Sequence, residues 1–304
     1  MKNVIAALLV ALFTETLVAA TFTVTSNNDS GAGSLRDAVA QSNTSPGADT
    51  IDFAVTGTIV LTTGQLPING PLTIVGPGAG SLTIDGNAIN RIFSVFENVP
   101  DVCATPGTNF SVSISGLTLA NARRIANSSA GAVYSEKTLS LDGMVIRDSA
   151  ARAGGGLGFN IVYPGQSLTI TNSQFINNVA MNLATDTINN SGGALRIVEQ
   201  CPVRTTPVTV TIANSLFTGN SVRPSGFWGL GGGIATFSDA DITITDTRVV
   251  ANRVIPPNPP VMGALYFGGG IYGRARSLQI ERSEISDNSA DLGGGLRFFN
   301  DLAD

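Results

Sequence analysis

The chain has 304 residues, a net charge of −5, 35 glycines and no histidine. Charged side chains make up only 13% of it, against about 25% in ordinary soluble domains, and there is no basic stripe of the kind that binds nucleic acid. Without His there is no Ser-His or Cys-His nucleophile pair, and two cysteines alone do not make a zinc site, so no metal or cofactor is expected.

Residues 1–20 read as an export signal. Lys2 supplies a positive start, Val4 to Phe13 is a short apolar run, and Val18-Ala19-Ala20 offers small residues for cleavage. The run is too short to anchor stably in a bilayer. No later segment is long and apolar enough to cross one. The mature chain is therefore expected to begin at Thr21, outside the cytoplasm.

Residues 21–70 read as an N-terminal cap with the first strands. Phe22 to Thr25 has strand character. Ser34 to Gln41 reads as a short helix, with Ser34 as N-cap, Asp37 near its N-terminus and Leu35, Ala38 and Val39 on one face. Strands over Thr50 to Val55 and Thr58 to Leu61 follow. An open stack of strands invites edge-to-edge aggregation, and such a helix suits a lid.

Residues 71–304 repeat one pattern seven times, starting at Leu72, Val112, Leu139, Leu168, Val210, Ile242 and Leu278. Each copy runs apolar-x-apolar, a small polar residue, an apolar residue, often Asn, and a Gly cluster before Ile or Leu. A period of strand-length pieces in this range marks a stacked array. In the fourth copy, Leu168 and Ile170 alternate with polar neighbours, Ser173 and Phe175 point inward after a corner, and Leu195 and Ile197 face inward after Gly192-Gly193. The other copies superpose: Leu119, Ile146, Phe217, Val249 and Ile285 share the Phe175 column, and Val133, Leu157, Ile234, Ile271 and Leu296 share the Leu195 column. One coil cannot bury its apolar face alone, but stacked coils bury a continuous core. The expected fold is all-β: a right-handed parallel β-helix with three short strands per coil and a short N-terminal capping helix. Asn178, Asn220, Asn252 and Asn288 stand at one position of successive coils and are expected to form a hydrogen-bonded ladder, with Ala122 and Ser149 in that position earlier. The Gly clusters precede strands, not helices, and no Gly-Lys-Ser/Thr follows, so they read as crowded corners rather than phosphate loops. The chain stops at Asp304 just after a third strand, and the natural protein is expected to continue.

Cys103 and Cys201 lie in insertions at the same corner, three copies apart, and either pair as a disulfide or stay as free thiols in an oxidising compartment. Two outward columns place Asp246 beside Arg282 and Arg248 beside Glu284. These read as ordinary cross-strand ion pairs rather than as facing catalytic carboxylates. Two insertions carry Phe227-Trp228 and Tyr266-Phe267, each just before a Gly cluster. The four rings either form a solvent-facing platform that could bind a sugar or a protein partner or fold back onto the stack as a satellite core. Arg223, Arg253 and the Pro256 to Pro260 run flank them.

The stretch Gly31-Ala32-Gly33-Ser34-Leu35-Arg36-Asp37-Ala38-Val39, followed by Pro46 to Ile51, resembles the N-terminal module of secreted bacterial proteins named for the motif CSLREA, with Gly33 where that motif has Cys. The later coils resemble the repeats of chlamydial polymorphic outer-membrane proteins, marked by F-x-x-N and G-G-A-[I/L/V]. Phe175 to Asn178 and Phe217 to Asn220 match the first mark, and Gly192 to Leu195 matches the second. The resemblance implies a pectin-lyase-like β-helix exported to the cell surface or medium. That architecture hosts both adhesive passengers and enzymes. The functional expectation is a non-catalytic surface or secreted module that binds an extracellular glycan or a cell-surface protein; the alternative is a polysaccharide lyase or glycoside hydrolase.

Overall fold

A computed structural model describes residues 18–99, 103–104, 107–181, 190–201, 206–259 and 261–299. Almost all of the expected export signal lies outside the described residues. The chain winds as a parallel β-helix. A nine-stranded sheet starts with Thr21–Val24 and Asp49–Phe53 and runs to Ser277–Glu281. A second sheet of eight strands runs from Gly57–Val60 to Glu284–Ser286, and a third of eight from Leu66–Ile68 to Leu296–Phe299. Neighbours within each sheet are one coil apart in sequence, so every hydrogen-bonded step along the stack is also a step along the chain.

The registers reproduce the apolar files. Val112 pairs with Leu139, Leu139 with Leu168, Leu168 with Val210, Val210 with Ile242 and Ile242 with Leu278. In the second sheet Ile146, Phe175, Phe217, Val249 and Ile285 form one file. Phe175 and Phe217 stack face to face, their centroids 4.6 Å apart. Both are fully buried within a single continuous core that reaches from Val24 to Ala275. A half-buried strand must alternate, and the inward member of each alternation has a like neighbour above and below. That is why the pattern repeats.

The sequence reading expects three strands per coil, and the structure adds a short fourth sheet between the second and third. It contains Arg123–Ser129, Ala150–Ala153, Val179–Met181, Asn190–Ser191, Ser221–Arg223, Trp228–Leu230, Arg253–Val254 and Leu265–Phe267. From the Ala150–Ala153 strand onward this sheet forks: one branch holds Val179–Met181, the other Asn190–Ser191. The long insertions emerge between the branches. These strands have two to four residues in the later coils, too short for a periodicity to register.

Two polar ladders hold the corners. Asn178 Nδ2 donates to Asn220 Oδ1 (3.1 Å), Asn220 Nδ2 to Asn252 Oδ1 (2.9 Å) and Asn252 Nδ2 to Asn288 Oδ1 (2.9 Å). Each of these oxygens also accepts the backbone N–H of the Asn one coil before, and Ser149 N–H donates to Asn178 Oδ1 in the same way. A parallel hydroxyl ladder runs through Ser173, Ser215, Thr247 and Ser283, each taking a backbone N–H from the coil before. Corner backbone groups that leave the sheets buried are satisfied in this way.

The Gly clusters combine two needs. The first Gly of each has a left-handed φ, from +61° to +66° at Gly154, Gly192, Gly231, Gly268 and Gly293. A Cβ on the second would sit 2.1 Å from the Gly232 carbonyl oxygen at Gly193 and 2.3 Å from the Gly269 oxygen at Gly232. Corners of successive coils stack too closely there for any side chain.

The helix Leu35–Ser42 lies across the first coil with Leu35, Ala38 and Val39 in the core. Ser34 Oγ accepts the Asp37 N–H, and Asp37 accepts the Gly33 N–H in return. Gly33, at φ +76°, leaves only 2.3 Å between an added Cβ and Thr25 Oγ1. Arg36 ties this lid to the stack: it donates to the carbonyls of Gly64 (2.7 Å) and Gln65 (3.1 Å) and pairs with Asp29 (2.7 Å). Asp29 also accepts from the backbone and hydroxyl of Thr62 and Thr63. No helix among the described residues is long and apolar enough to cross a membrane.

The ladder and the lid can each be tested by one substitution. Asn220→Ala removes one acceptor and two donated bonds from a fully buried position, leaving several buried groups unpaired at about 1–3 kcal/mol each. It should cost roughly 4 kcal/mol, read as a lowered urea midpoint, against ~1–2 kcal/mol for Asn288→Ala at the half-buried end of the ladder. At Asp29, burial pushes the carboxyl up, but the hydrogen bonds from Thr63, Arg36 and Thr62 and the charge of Arg36 outweigh it and take the group down to about 2. A depressed carboxyl stabilises the fold above its unfolded value of about 4 and loses that contribution as pH falls towards 2. Thermal melts should show Asp29→Asn less stable than the parent by about 1–2 kcal/mol at pH 6, with the gap closing by pH 2; an unchanged gap would remove this role.

Candidate functional site

The four predicted aromatic residues do not form one platform. Trp228–Leu230 pairs with Leu265–Phe267, placing Trp228 beside Leu265, Gly229 beside Tyr266 and Leu230 beside Phe267. Phe227 and Trp228 are 49% and 45% exposed, whereas Tyr266 and Phe267 are buried. Gly229 explains the burial of Tyr266: a Cβ there would lie 3.2 Å from Tyr266 Cδ1, so the missing side chain makes room for the ring. Tyr266 packs with Ala180, Val222 and Val254 in a small satellite core. Phe267 lies against Tyr272, with the Arg297 guanidinium 4.0 Å from its centroid. The open surface is thus Phe227 and Trp228, extended by the exposed Leu265 and Met262.

A second feature lies where the Gly corner turns the chain from the fourth sheet into the third. It is a polar cleft of about 420 Å³. Arg124 and Arg152 approach it from the fourth sheet, Tyr134 and Asn160 from the third, and Arg91 and Gln65 from the coils before. In the third sheet's outward file Tyr134 is followed by Gly158 and then Arg196. Gly158 has no room for a side chain, since its Cβ would meet Ala130 Cβ at 2.9 Å. Ala130 therefore packs over the file between Tyr134 and Arg196.

Arg91 is 5% exposed. It donates to Ser94 Oγ (3.1 Å), the Ala130 carbonyl (3.3 Å) and Gln65 Oε1 (3.4 Å), and its guanidinium lies 4.7 Å from the Tyr134 ring centroid. The Tyr134 hydroxyl donates to the Glu136 carboxylate and accepts from Asn160 Nδ2 (2.9 Å). Asn160 Nδ2 also donates to Gln200 Oε1 (2.9 Å). Arg124 donates through Nη1 to Asn90 Oδ1 (3.3 Å), and Arg196 through Nε to Ser191 Oγ (3.1 Å). Arg124 Nε and Asn160 Oδ1 are buried here without a protein partner.

The electrostatics are one-sided. Burial, followed by the charge of Arg124, pushes Arg91 down to about 10. Burial, followed by the charge of Arg152, does the same to Arg196. Both stay protonated at neutral pH, at a cost to the fold. Tyr134 is pushed up by burial and by the adjoining Glu136 charge and stays neutral. Among the described residues Glu136 is the one carboxylate on the cleft lining. Chemically the arrangement can hold an anion; glycoside hydrolysis instead uses two facing carboxyl groups.

One wall of the cleft is pinned. Phe96 lines it, and the insertion that follows Phe96 is closed by the Cys103–Cys201 disulfide, with Cα atoms 5.4 Å apart. Lys137 holds the base of this insertion. Its side chain is fully buried, donating to the Thr108 carbonyl (2.6 Å), Tyr163 Oη (2.5 Å) and Glu97 (3.1 Å), with the Tyr163 and Phe110 rings around it. The Lys137 hydrogen bond, joined by the Thr108 N–H, holds the Glu97 carboxyl below its usual range.

Sequence reasoning missed the cleft because its arginines stand on different coils and in the short fourth sheet, whose register it did not draw. Stacking Arg124 and Arg152 beside the Tyr134–Gly158–Arg196 file was the available signal. Among the described residues no three His, Cys, Asp or Glu side chains gather as a metal site. The outward pairs are present, with Arg282 bidentate on Asp246 (2.8 and 2.8 Å) and Arg248 on Glu284 (2.7 Å).

No protein-family model matches the chain, and no curated protein matches it. Among solved structures, one described as Geobacillus virus E2 ORF18 is similar over 87% of this chain and 59% of that one, at 10% identity and a TM-score of 0.33. The chain thus spans less than two thirds of that protein's length, and a likeness at this level carries no functional argument.

The disulfide encloses a separation of 98 residues, a span that stabilises by up to ~5 kcal/mol in the chain-entropy model. Reductant should therefore lower the melting temperature by several degrees, and Cys103→Ser should melt at the reduced temperature with or without reductant. A parent protein indifferent to reductant would show that Lys137 alone holds the insertion.

Proposed function

We propose that the chain is an exported β-helix module that binds glycans at a cell surface or in the medium, and that it acts by adhesion rather than catalysis. The observation that carries this is the exposed Phe227–Trp228 pair, with Trp228 opening a hydrogen-bonded strand of the fourth sheet and Phe227 tied to it by the Leu265 N–H on its carbonyl. Exposed rings on a rigid backbone stack on the apolar faces of sugars without a large ordering cost. The export segment at residues 1–20 and the resemblance to CSLREA-type and polymorphic outer-membrane proteins support the location.

A pectin-lyase-like enzyme is the second reading. The tyrosine–glutamate pair of the cleft, with arginines around it, is the observation in its favour. The single carboxylate among the described lining residues counts against a glycosidase, which uses two.

The test is a glycan array with the mature chain and a Trp228→Ala variant. The parent should bind a subset of glycans, and Trp228→Ala should weaken that binding about tenfold, equivalent to the loss of one stacking contact of ~1.4 kcal/mol. Equal binding by both proteins, or none by either, would remove the aromatic pair from the function.

A further inference from the structure

We infer that the arginine cleft is a binding site for an acidic sugar, one that carries a sulfate or carboxylate group together with free hydroxyls. The class of ligand rests on the glycan-binding reading, but the residues are different ones.

Charge is the first sign. The chain as a whole is acidic, at −5, yet Arg91, Arg124 and Arg152 converge on one cleft, and Arg196 stands close enough to Arg152 to feel its charge. One carboxylate on the described lining, Glu136, opposes them, and it is engaged by the Tyr134 hydroxyl. A fold does not hold like charges together at a partly desolvated place for stability. Beyond the cost of burial, Arg91 is disfavoured by the charge of Arg124 and Arg196 by that of Arg152, and an anion in the cleft would offset that cost. Guanidinium groups are suited to sulfate and carboxylate because their N–H forks match two oxygens at once.

The unpartnered atoms refine the class. Arg124 Nε is a buried donor without a protein acceptor, as an anion would require. Asn160 Oδ1 is a buried acceptor without a protein donor. An anion alone has nothing to donate to it, whereas a sugar hydroxyl does. A molecule that carries an acid group for the guanidinium cluster and hydroxyls for Asn160 satisfies both atoms. The volume, about 420 Å³, is within the range of small-molecule sites.

The cleft and the aromatic pair lie on one sheet, a short distance apart. Arg152 lies in the strand Ala150–Ala153, which pairs with Asn190–Ser191, which pairs in turn with Trp228–Leu230. Two steps of ~4.8 Å lead from Arg152 through Asn190 to Gly229, about 10 Å further along the stack, with the exposed Trp228 one residue before Gly229 in the same strand.

The experiment uses the disulfide-intact mature chain and calorimetric titration with three probes: a heparin hexasaccharide, the same hexasaccharide stripped of sulfate but keeping its carboxylates, and neutral maltohexaose. At least one acidic probe should bind about tenfold or more tighter than maltohexaose, with affinity falling between about 50 and 200 mM salt. Arg124→Ala and Arg152→Ala, each half-buried and outside the core, should each lower that affinity about fivefold or more. Arg248→Ala, whose partner Glu284 lies on the second sheet, should leave it unchanged. Asn160→Leu should weaken the sugar probes while leaving any binding of inorganic sulfate as it was. Melting temperatures of all variants, measured alongside, separate lost binding from lost fold. The stripped probe decides between sulfate and carboxylate as the acid group, and binding by either supports the inference. Acidic probes no tighter than maltohexaose, equal affinity in the two arginine variants, or inorganic sulfate binding as tightly as the hexasaccharides would overturn it. Should Trp228→Ala bind every probe normally while the arginine variants fail, the aromatic reading falls and the cleft stands; the converse result keeps the aromatic pair and removes the cleft.

Discussion

Everything in this molecule depends on parallel registration of one coil upon the next. Each strand finds both of its hydrogen-bonding partners in neighbouring coils, so a residue is defined by its file as much as by its place in the chain. Phe175 on Phe217, Leu168 on Val210 and Leu195 on Ile234 are consequences of that registration. A slip by one residue would turn every inward side chain out to solvent. The buried Asn ladder and the Ser/Thr ladder oppose such a slip, because each amide or hydroxyl meets its partner only when the coils are in register.

The same registration makes corners scarce in space. Glycine is required where the corner carbonyls of two coils nearly touch, and those corners have no side chains to fill their outer surface. The cleft is lined by Arg152 before the Gly154–Gly156 corner and Asn160 after it. A concavity on an otherwise smooth stack is therefore a by-product of tight backbone stacking, and long side chains from adjoining strands have come to line it. Phe96 on its lining leads directly into an insertion fixed by a disulfide and a buried lysine.

The lid at the N-terminal end solves a different problem. Among the described residues no coil precedes the first, and the helix Leu35–Ser42 covers that end with three apolar side chains. Arg36 is the tether, since its guanidinium spans from Asp29 to two carbonyls of the first turn of the stack. The Ser-Leu-Arg-Asp run thus has one role per residue: cap, core, tether and reciprocal cap.

Much of this was legible in the chain itself. Period-two alternation repeated at coil length identifies the inward files, because apolar burial in a strand leaves one possible pattern and stacking copies it. The Asn and Gly positions were legible for the same reason. The outward pairs Asp246–Arg282 and Arg248–Glu284 were legible too; what the sequence did not decide is which rings face water and where the arginines gather. Phe227 and Trp228 are open, whereas Tyr266 is buried over the space left by Gly229 on the neighbouring coil and Phe267 packs against Tyr272 and Arg297. Arg91, Arg124, Arg152 and Arg196 share no motif and lie on separate coils, so their convergence exists only after the short fourth sheet has been folded against the third. Local pattern determines the direction of a side chain within its strand; its surroundings are set by neighbours far away in sequence, and those the tertiary structure alone supplies.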